Sequence, residues 1–148
     1  MSALTFILVV LVAFIAGVAS VVDERQFHRP LVACTLMGFA LGDPTTGIML
    51  GGALELIALG WMNVGAAMAP DSALASTISA VVVIQGHQDI TTGIAIAVPL
   101  AAAGQVLTIF VRTITVFFQH QADNFAKTAN FRGIELMHIS GMALQGLR

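Results

Sequence analysis

Charge is the scarcest property of this sequence. Only 9% of its residues are Asp, Glu, Lys or Arg, against a hydrophobic share of 57%. Soluble domains run at about 25% charged and roughly 45–50% apolar, so a water-exposed surface cannot be built from so few charges. A bilayer removes that requirement, because lipid tails face apolar side chains directly. The single cysteine, Cys34, rules out an internal disulfide. Its place in an apolar run reads as buried and structural rather than reactive. A net charge of −2 argues against a nucleic-acid partner. No Walker loop, zinc-ligand spacing or Ser/His/Asp arrangement occurs, so neither a cofactor nor a catalytic residue is expected in this chain. What is plentiful fits membrane helices: fourteen glycines and many alanines, which let helix backbones approach closely.

The first apolar run, Ala3 to Val22, has twenty residues and no charge, the length a helix needs to cross the hydrocarbon core. A secretory signal carries a basic n-region, a shorter core and a small-residue cleavage site. No Lys or Arg precedes this run, so a spanning helix is expected. Ala13, Ala16, Gly17 and Ser20 make one small-residue face suited to packing on another helix. After the polar stretch 23–30 comes Leu31 to Leu41, apolar but eleven residues long. That is about 16 Å of helix, or half a bilayer core. Gly42-Asp43-Pro44 is a turn signal. A helix is expected over 45–61, a break over 63–71, a second short piece over 74–84, and a long helix over 92–118 that contains Pro99 and Arg112. Short pieces beside spanning ones point to broken or re-entrant half-helices. These survive at membrane depth only against protein or water, and transporters place substrate sites at them. The expected fold class is therefore an all-α membrane protein. A membrane-embedded region is expected over 1–118, then an interfacial or loop segment over 119–148 leading to a further membrane element, in a chain read as truncated.

Few polar residues interrupt the apolar runs. Glu55 lies far from either end of 45–61. A charged residue at membrane depth costs about 2.5–3.5 kcal/mol on insertion scales and is a functional candidate by default. The plainer reading is a buried acid paired with a structural partner. Leu50, Leu54, Ile57 and Trp61 are read as a stripe facing lipid. Gly47, Gly51 and Ala58 are read as nearly opposite, with Glu55 beside them, toward protein or a cavity. On the long helix Gln105, Thr108, Arg112, Thr115 and Gln119 are spaced by 3, 4, 3 and 4 residues and share a face. Interhelical packing, or an interfacial anchor with Arg112 snorkelling, is favoured there over substrate contact. In the broken segment Asn63 and Asp71 can hydrogen-bond sugar hydroxyls, and Trp61 can supply an apolar face. Asp71 also precedes Ser72 at a helix start and reads equally as an N-cap. Asp23, Gln26, His28 and Arg29 form a mixed polar cluster, as compatible with a solvated loop as with a site. His28 is the sole candidate phosphoryl acceptor near a loop, and nothing around it binds nucleotide or metal.

These residues also carry a resemblance. Asp23-Glu24, followed by Gln26-Phe27-His28-Arg29-Pro30-Leu31, resembles the first signature of the membrane component IIC of mannose-family phosphotransferase systems. So do Gly51 through Ala67 (GGALELIALGWMNVGAA), the run Ala69 to Ser76 (APDSALAS), and Pro99 to Thr115 (PLAAAGQVLTIFVRTIT). The similarity covers essentially the whole chain and looks closest to the mannose/glucose branch, rather than the sorbose or amino-sugar branches. Members of that family run to nearly twice this length. The resemblance implies a multi-pass protein of the bacterial cytoplasmic (inner) membrane that binds and translocates mannose or a related hexose. Its implied partners are component IID in the membrane and the cytoplasmic phosphocarrier components IIA and IIB, with the phosphohistidine chemistry on those carriers. It further implies a trimer of IIC–IID pairs and a role as a bacteriocin receptor. The sugar contacts expected are Glu55, Asn63, Asp71, Trp61, Asp23 and Gln26.

Two other readings compete with a sugar permease. One is a secondary transporter or channel with Glu55 as its proton or cation site. The other is a membrane scaffold that tolerates substitution at Glu55 and Asn63. The polar stripe gives a test independent of all three. Accessibility labelling should find Gln105 and Thr108 shielded from lipid; lipid contact at both would contradict the helical-face argument, whereas contact at Arg112 alone would not.

Overall fold

The computed structural model describes residues 2–22, 26–65 and 67–148. Its elements are α1 (Ala3–Val22), α2 (Pro30–Leu41), α3 (Pro44–Ala58), α4 (Ser72–Gln85), α5 (Ile90–Lys127) and α6 (Phe131–Gly146), with no strand among the described residues. Of these helices, α1 and α5 alone are long and apolar enough to cross a membrane unaided. The 12 residues of α2 and 14 of α4 extend about 18 Å and 21 Å, short of a hydrocarbon core of roughly 30 Å. The chain is thus an all-α protein of long apolar helices and short half-helices.

Proline and glycine set the α2–α3 hairpin. Pro30 and Pro44 stand at the starts of their helices, where a missing N–H costs nothing. Gly42 ends α2 with φ 87°, a left-handed conformation that a side chain would oppose. Asp43 then caps α3, its carboxylate accepting from the Thr46 N–H at 3.1 Å. The two helices approach closely enough that a Cβ on Gly47 would lie 2.5 Å from the Cys34 carbonyl oxygen, and one on Gly51 2.9 Å from that of Pro30.

The outward stripe expected on α3 is corrected here. Leu50 and Leu54 are buried together with Gly47, Gly51 and Ala58. At 100° per residue the glycine row and the leucine row are only about 70° apart, so they make one broad buried face rather than two opposed ones. The glycines meet α2. The leucines join the core of Cys34, Met37, Ala75, Ala80, Val83, Ala97 and Ala101 from α2, α4 and α5. Ile48, Met49 and Leu56 are the outward residues of α3, and Ile57 is exposed as expected.

Two boundaries also differ from expectation. The helix expected to reach 61 ends at Ala58, which leaves Trp61 on irregular backbone. The helix expected to end at 118 runs on to Lys127, so 119–127 is helix and not loop, and α6 follows it. Gln119, His120, Gln121 and Ala122 are all compatible with a helix; the drop in hydropathy marks a change of surroundings, not of backbone. A turn with Ala129 at φ 51° reverses the chain. Asn130 then caps α6, accepting from the Gly133 N–H at 3.1 Å. Helix α6 returns to α1, where Gly17 sits against the Gly146 backbone. The small-residue face of α1 is therefore the face that packs, with Ala16 and Gly17 buried.

Close backbone contact predicts a size limit. Gly47→Val should destabilise the chain by about 1–3 kcal/mol through overpacking. Gly52→Ala, which meets open space, should stay within about 0.5 kcal/mol. Thermal denaturation of the two variants in detergent checks this; equal melting points would refute the close-packed hairpin.

Candidate functional site

Among the described residues, polar groups converge at one break in the apolar helices. It lies where α1 ends, α2 and α4 begin, and α3 gives way to irregular backbone. The middle of α5 passes behind it. A cavity of about 320 Å³ opens there, bordered by Gln26, Trp61, Asn63, Asp71, Thr108 and Arg112 among others.

The break between α3 and α4 is held in shape by its own polar groups. The Trp61 N–H donates to the Ala58 carbonyl at 2.9 Å, and the Asp71 N–H to the Ala101 carbonyl of α5 at 3.0 Å. The Asn63 side-chain oxygen accepts from the Ala69 N–H at 2.7 Å. The Gln105 amide donates to the Met68 carbonyl at 2.7 Å. These bonds supply the partners that a helix would have given the backbone, which is how irregular chain is tolerated among apolar helices.

Asp71 is the most heavily engaged residue of the site. Its carboxylate accepts from the Leu74 N–H at 3.1 Å, as the N-cap of α4, and from the Thr108 hydroxyl at 3.2 Å. It also pairs with Arg148 at 3.0 Å; both side chains are almost fully buried, at 4% and 5% exposure. Arg148 in turn donates to Ser20 of α1 at 2.6 Å and to Gln145 of α6 at 3.1 Å. One carboxylate thereby ties α4, α5, α1 and α6 together. Gly104 allows it: a Cβ there would lie 2.7 Å from the Asp71 side chain.

Of the expected sugar contacts, the structure brings Gln26, Trp61, Asn63 and Asp71 to one cavity. Asp23 lies outside the described residues. Glu55 does not border the cavity. One of its oxygens pairs with Arg29, and the other accepts from the Leu31 N–H at 3.1 Å, capping the first turn of α2. Arg29 does border the cavity, so Glu55 stands one residue behind the wall. On α5, Gln105 and Thr108 point inward as bonded above, while Gln119 is exposed. Arg112 borders the cavity and is exposed. Arg148 was not singled out from the sequence. Its available signal was a lone cation directly following the moderately apolar run 134–147.

Half-helices around a polar cavity, between helices long enough to span, define an all-α fold of the membrane-protein class, and transporters place substrate sites at such breaks. The chain belongs to the family of PTS system sorbose-specific IIC components, which it matches over residues 3–148. It is a protein of the bacterial inner membrane. It is 66% identical to the fructose permease IIC component of Bacillus subtilis over 100% of its own length and 55% of that protein's. To the PTS system sorbose-specific EIIC component of Klebsiella pneumoniae it is 65% identical, over 99% and 55%. To the mannose-specific EIIC component of Escherichia coli it is 63% identical, over 98% and 54%. The chain thus spans about half the length of the curated relatives it matches. An N-acetylgalactosamine permease IIC component stands farther off, at 29%. The amino-sugar relative is separated as expected, but similarity does not rank a mannose relative above a sorbose or fructose one. In solved structures the chain resembles the mannose transporter ManYZ in its cryoEM complex with microcin E492. The TM-score is 0.96, at 61% identity, over 99% of this chain and 59% of that one.

The buried pair generates a prediction. Asp71→Ala should cost about 3–5 kcal/mol, because it strands a desolvated guanidinium. Combining it with Arg148→Met should recover a substantial part of that loss. A double variant no more stable than Asp71→Ala, in thermal denaturation, would show that the pair is not the cause.

Proposed function

We propose that this chain is the sugar-binding half of the IIC permease component of a phosphoenolpyruvate-dependent sugar phosphotransferase system. Its cavity holds a hexose during translocation, while a cytoplasmic partner phosphorylates it. The observation that carries the reading is the chemistry gathered at the helix break. Asn63 and Gln26 offer amides that both give and accept hydrogen bonds, Asp71 and Thr108 offer oxygens, and Trp61 offers an apolar face. Sugar hydroxyls are donors and acceptors at once, so they match such a mixed set. The names of the relatives, which are fructose, sorbose and mannose permease components, support a hexose class. In this reading Glu55 serves the sugar through Arg29, which it holds at the cavity wall, and Asp23 remains a contact proposed from its nearness in sequence to Gln26. A carboxylate already paired with Arg29 and a backbone N–H favours this role over a proton or cation site.

The assembly follows from the same reading. Component IID completes the permease in the membrane, and the phosphocarrier components IIA and IIB act from the cytoplasm. Three IIC–IID pairs form the complex, and its outer surface serves bacteriocins as a receptor, in line with the microcin complex of the ManYZ relative. The membrane-embedded part comprises residues 1–118, with the polar end of α5 projecting from it.

Hexose binding to the full-length IIC–IID complex tests the site. Gln26→Ala and Asn63→Ala should each weaken binding roughly three- to tenfold, the value of one or two neutral hydrogen bonds. Glu55→Gln should lower uptake while assembly of the complex stays intact. Wild-type affinity in both amide variants would reject the cavity as the sugar site, and loss of assembly in Glu55→Gln would assign that acid to packing.

A further inference from the structure

Among the described residues, the charges that border the cavity do not cancel. Arg29, Arg112 and Arg148 border it together with Asp71. Glu55 offsets Arg29 and Asp71 offsets Arg148. Arg112 has no carboxylate partner among the described residues; it is exposed and borders the same cavity as Arg148. Two guanidiniums besides that of Arg29 therefore border one cavity, with Asp71 as the only carboxylate on its wall among the described residues. A neutral hexose does nothing to offset the charge that Arg112 brings to this wall.

We infer that the Arg112–Arg148 side of the cavity is a phosphomonoester subsite, which takes the phosphate of the hexose once it has been phosphorylated. The inference rests on the hexose reading above. An ester phosphate carries about two negative charges and three strong acceptor oxygens. Planar guanidiniums match these by paired N–H donors, a geometry that a compact ammonium lacks. Arg148 is held in place by Asp71, Ser20 and Gln145, so it presents a fixed face, and its guanidinium has more donors than these three contacts use. Arg112 enters from the adjoining turn of α5, one turn beyond Thr108, which itself binds Asp71. Sugar and phosphate would thus lie side by side. The amides and Trp61 hold the ring, and the arginines hold the new charge. The subsite favours product over substrate, so it keeps the phosphorylated sugar from slipping back once the charge is formed.

The test uses the full-length IIC–IID complex in phosphatidylcholine nanodiscs, which exclude anionic lipid headgroups. Calorimetric titration compares mannose, mannose 6-phosphate and inorganic phosphate. Wild type should bind mannose 6-phosphate about tenfold or more tighter than mannose. Arg112→Gln should bring that ratio close to one, and Arg112→Lys should keep part of it. Inorganic phosphate should bind wild type weakly and lose that binding in Arg112→Gln. Melting points of the variants exclude misfolding as the cause. The same ratio in wild type and Arg112→Gln, or equal affinity for the two sugars in wild type, overturns the subsite and identifies Arg112 as a solvated anchor. Phosphate binding that depends on Arg112, without any sugar binding, would keep the anion subsite and remove the hexose reading. Binding of none of the three ligands overturns both.

Discussion

A buried carboxylate governs this architecture because it cannot stand alone. Asp71 lies among helices that offer almost no water and little charge. It satisfies itself by capping α4, accepting from Thr108 and pairing with Arg148. Each partner belongs to a different part of the chain, so one side chain fixes the relative positions of four helices. A buried pair of this kind adds little net stability compared with apolar packing. What it does supply is register, because its donors come from separate parts of the chain that it holds in this arrangement. The same oxygens border the cavity, and the groups that set the fold therefore also set the chemistry available to a ligand.

Close backbone approach is the second constraint. Gly47 and Gly51 bring α3 against α2, Gly104 admits Asp71, and Gly17 meets the end of α6. Between membrane helices, water exclusion contributes little to association, and packing of small residues takes its place. These contacts shorten the distances across the site. A side chain at position 104 would crowd the Asp71 carboxylate that Thr108 binds.

The membrane class, the short length of the half-helices and the break near Asn63 could be read from hydropathy and from the turn signals. Gln105 and Thr108 were legible as a polar face because helical period alone decides which residues share it. The inward direction of Leu50 and Leu54 was not legible. The expectation confined burial to a narrow stripe, but the buried face of α3 is broad, covered by α2 on one side and by α4 and α5 on the next. The end of α5 was misplaced for a related reason: a loss of hydropathy was read as a loss of helix. Glu55 was found as an unusual acid, yet its partners Arg29 and the Leu31 N–H are 26 and 24 residues away, and nothing in periodicity links such positions.

By itself the sequence determined that the chain lies in a membrane, where its main apolar helices and half-helices run, and which few residues carry polar chemistry. These follow from composition and local period, which act over one or two turns. Only the tertiary structure decided which of those polar residues meet. It set Glu55 behind Arg29 instead of at the cavity, made Asp71 a junction, and drew Arg148 from the end of α6 to the same wall as Arg112. The reason is that a desolvated charge seeks its partner through space, and the separation of the two along the chain carries no information about that choice.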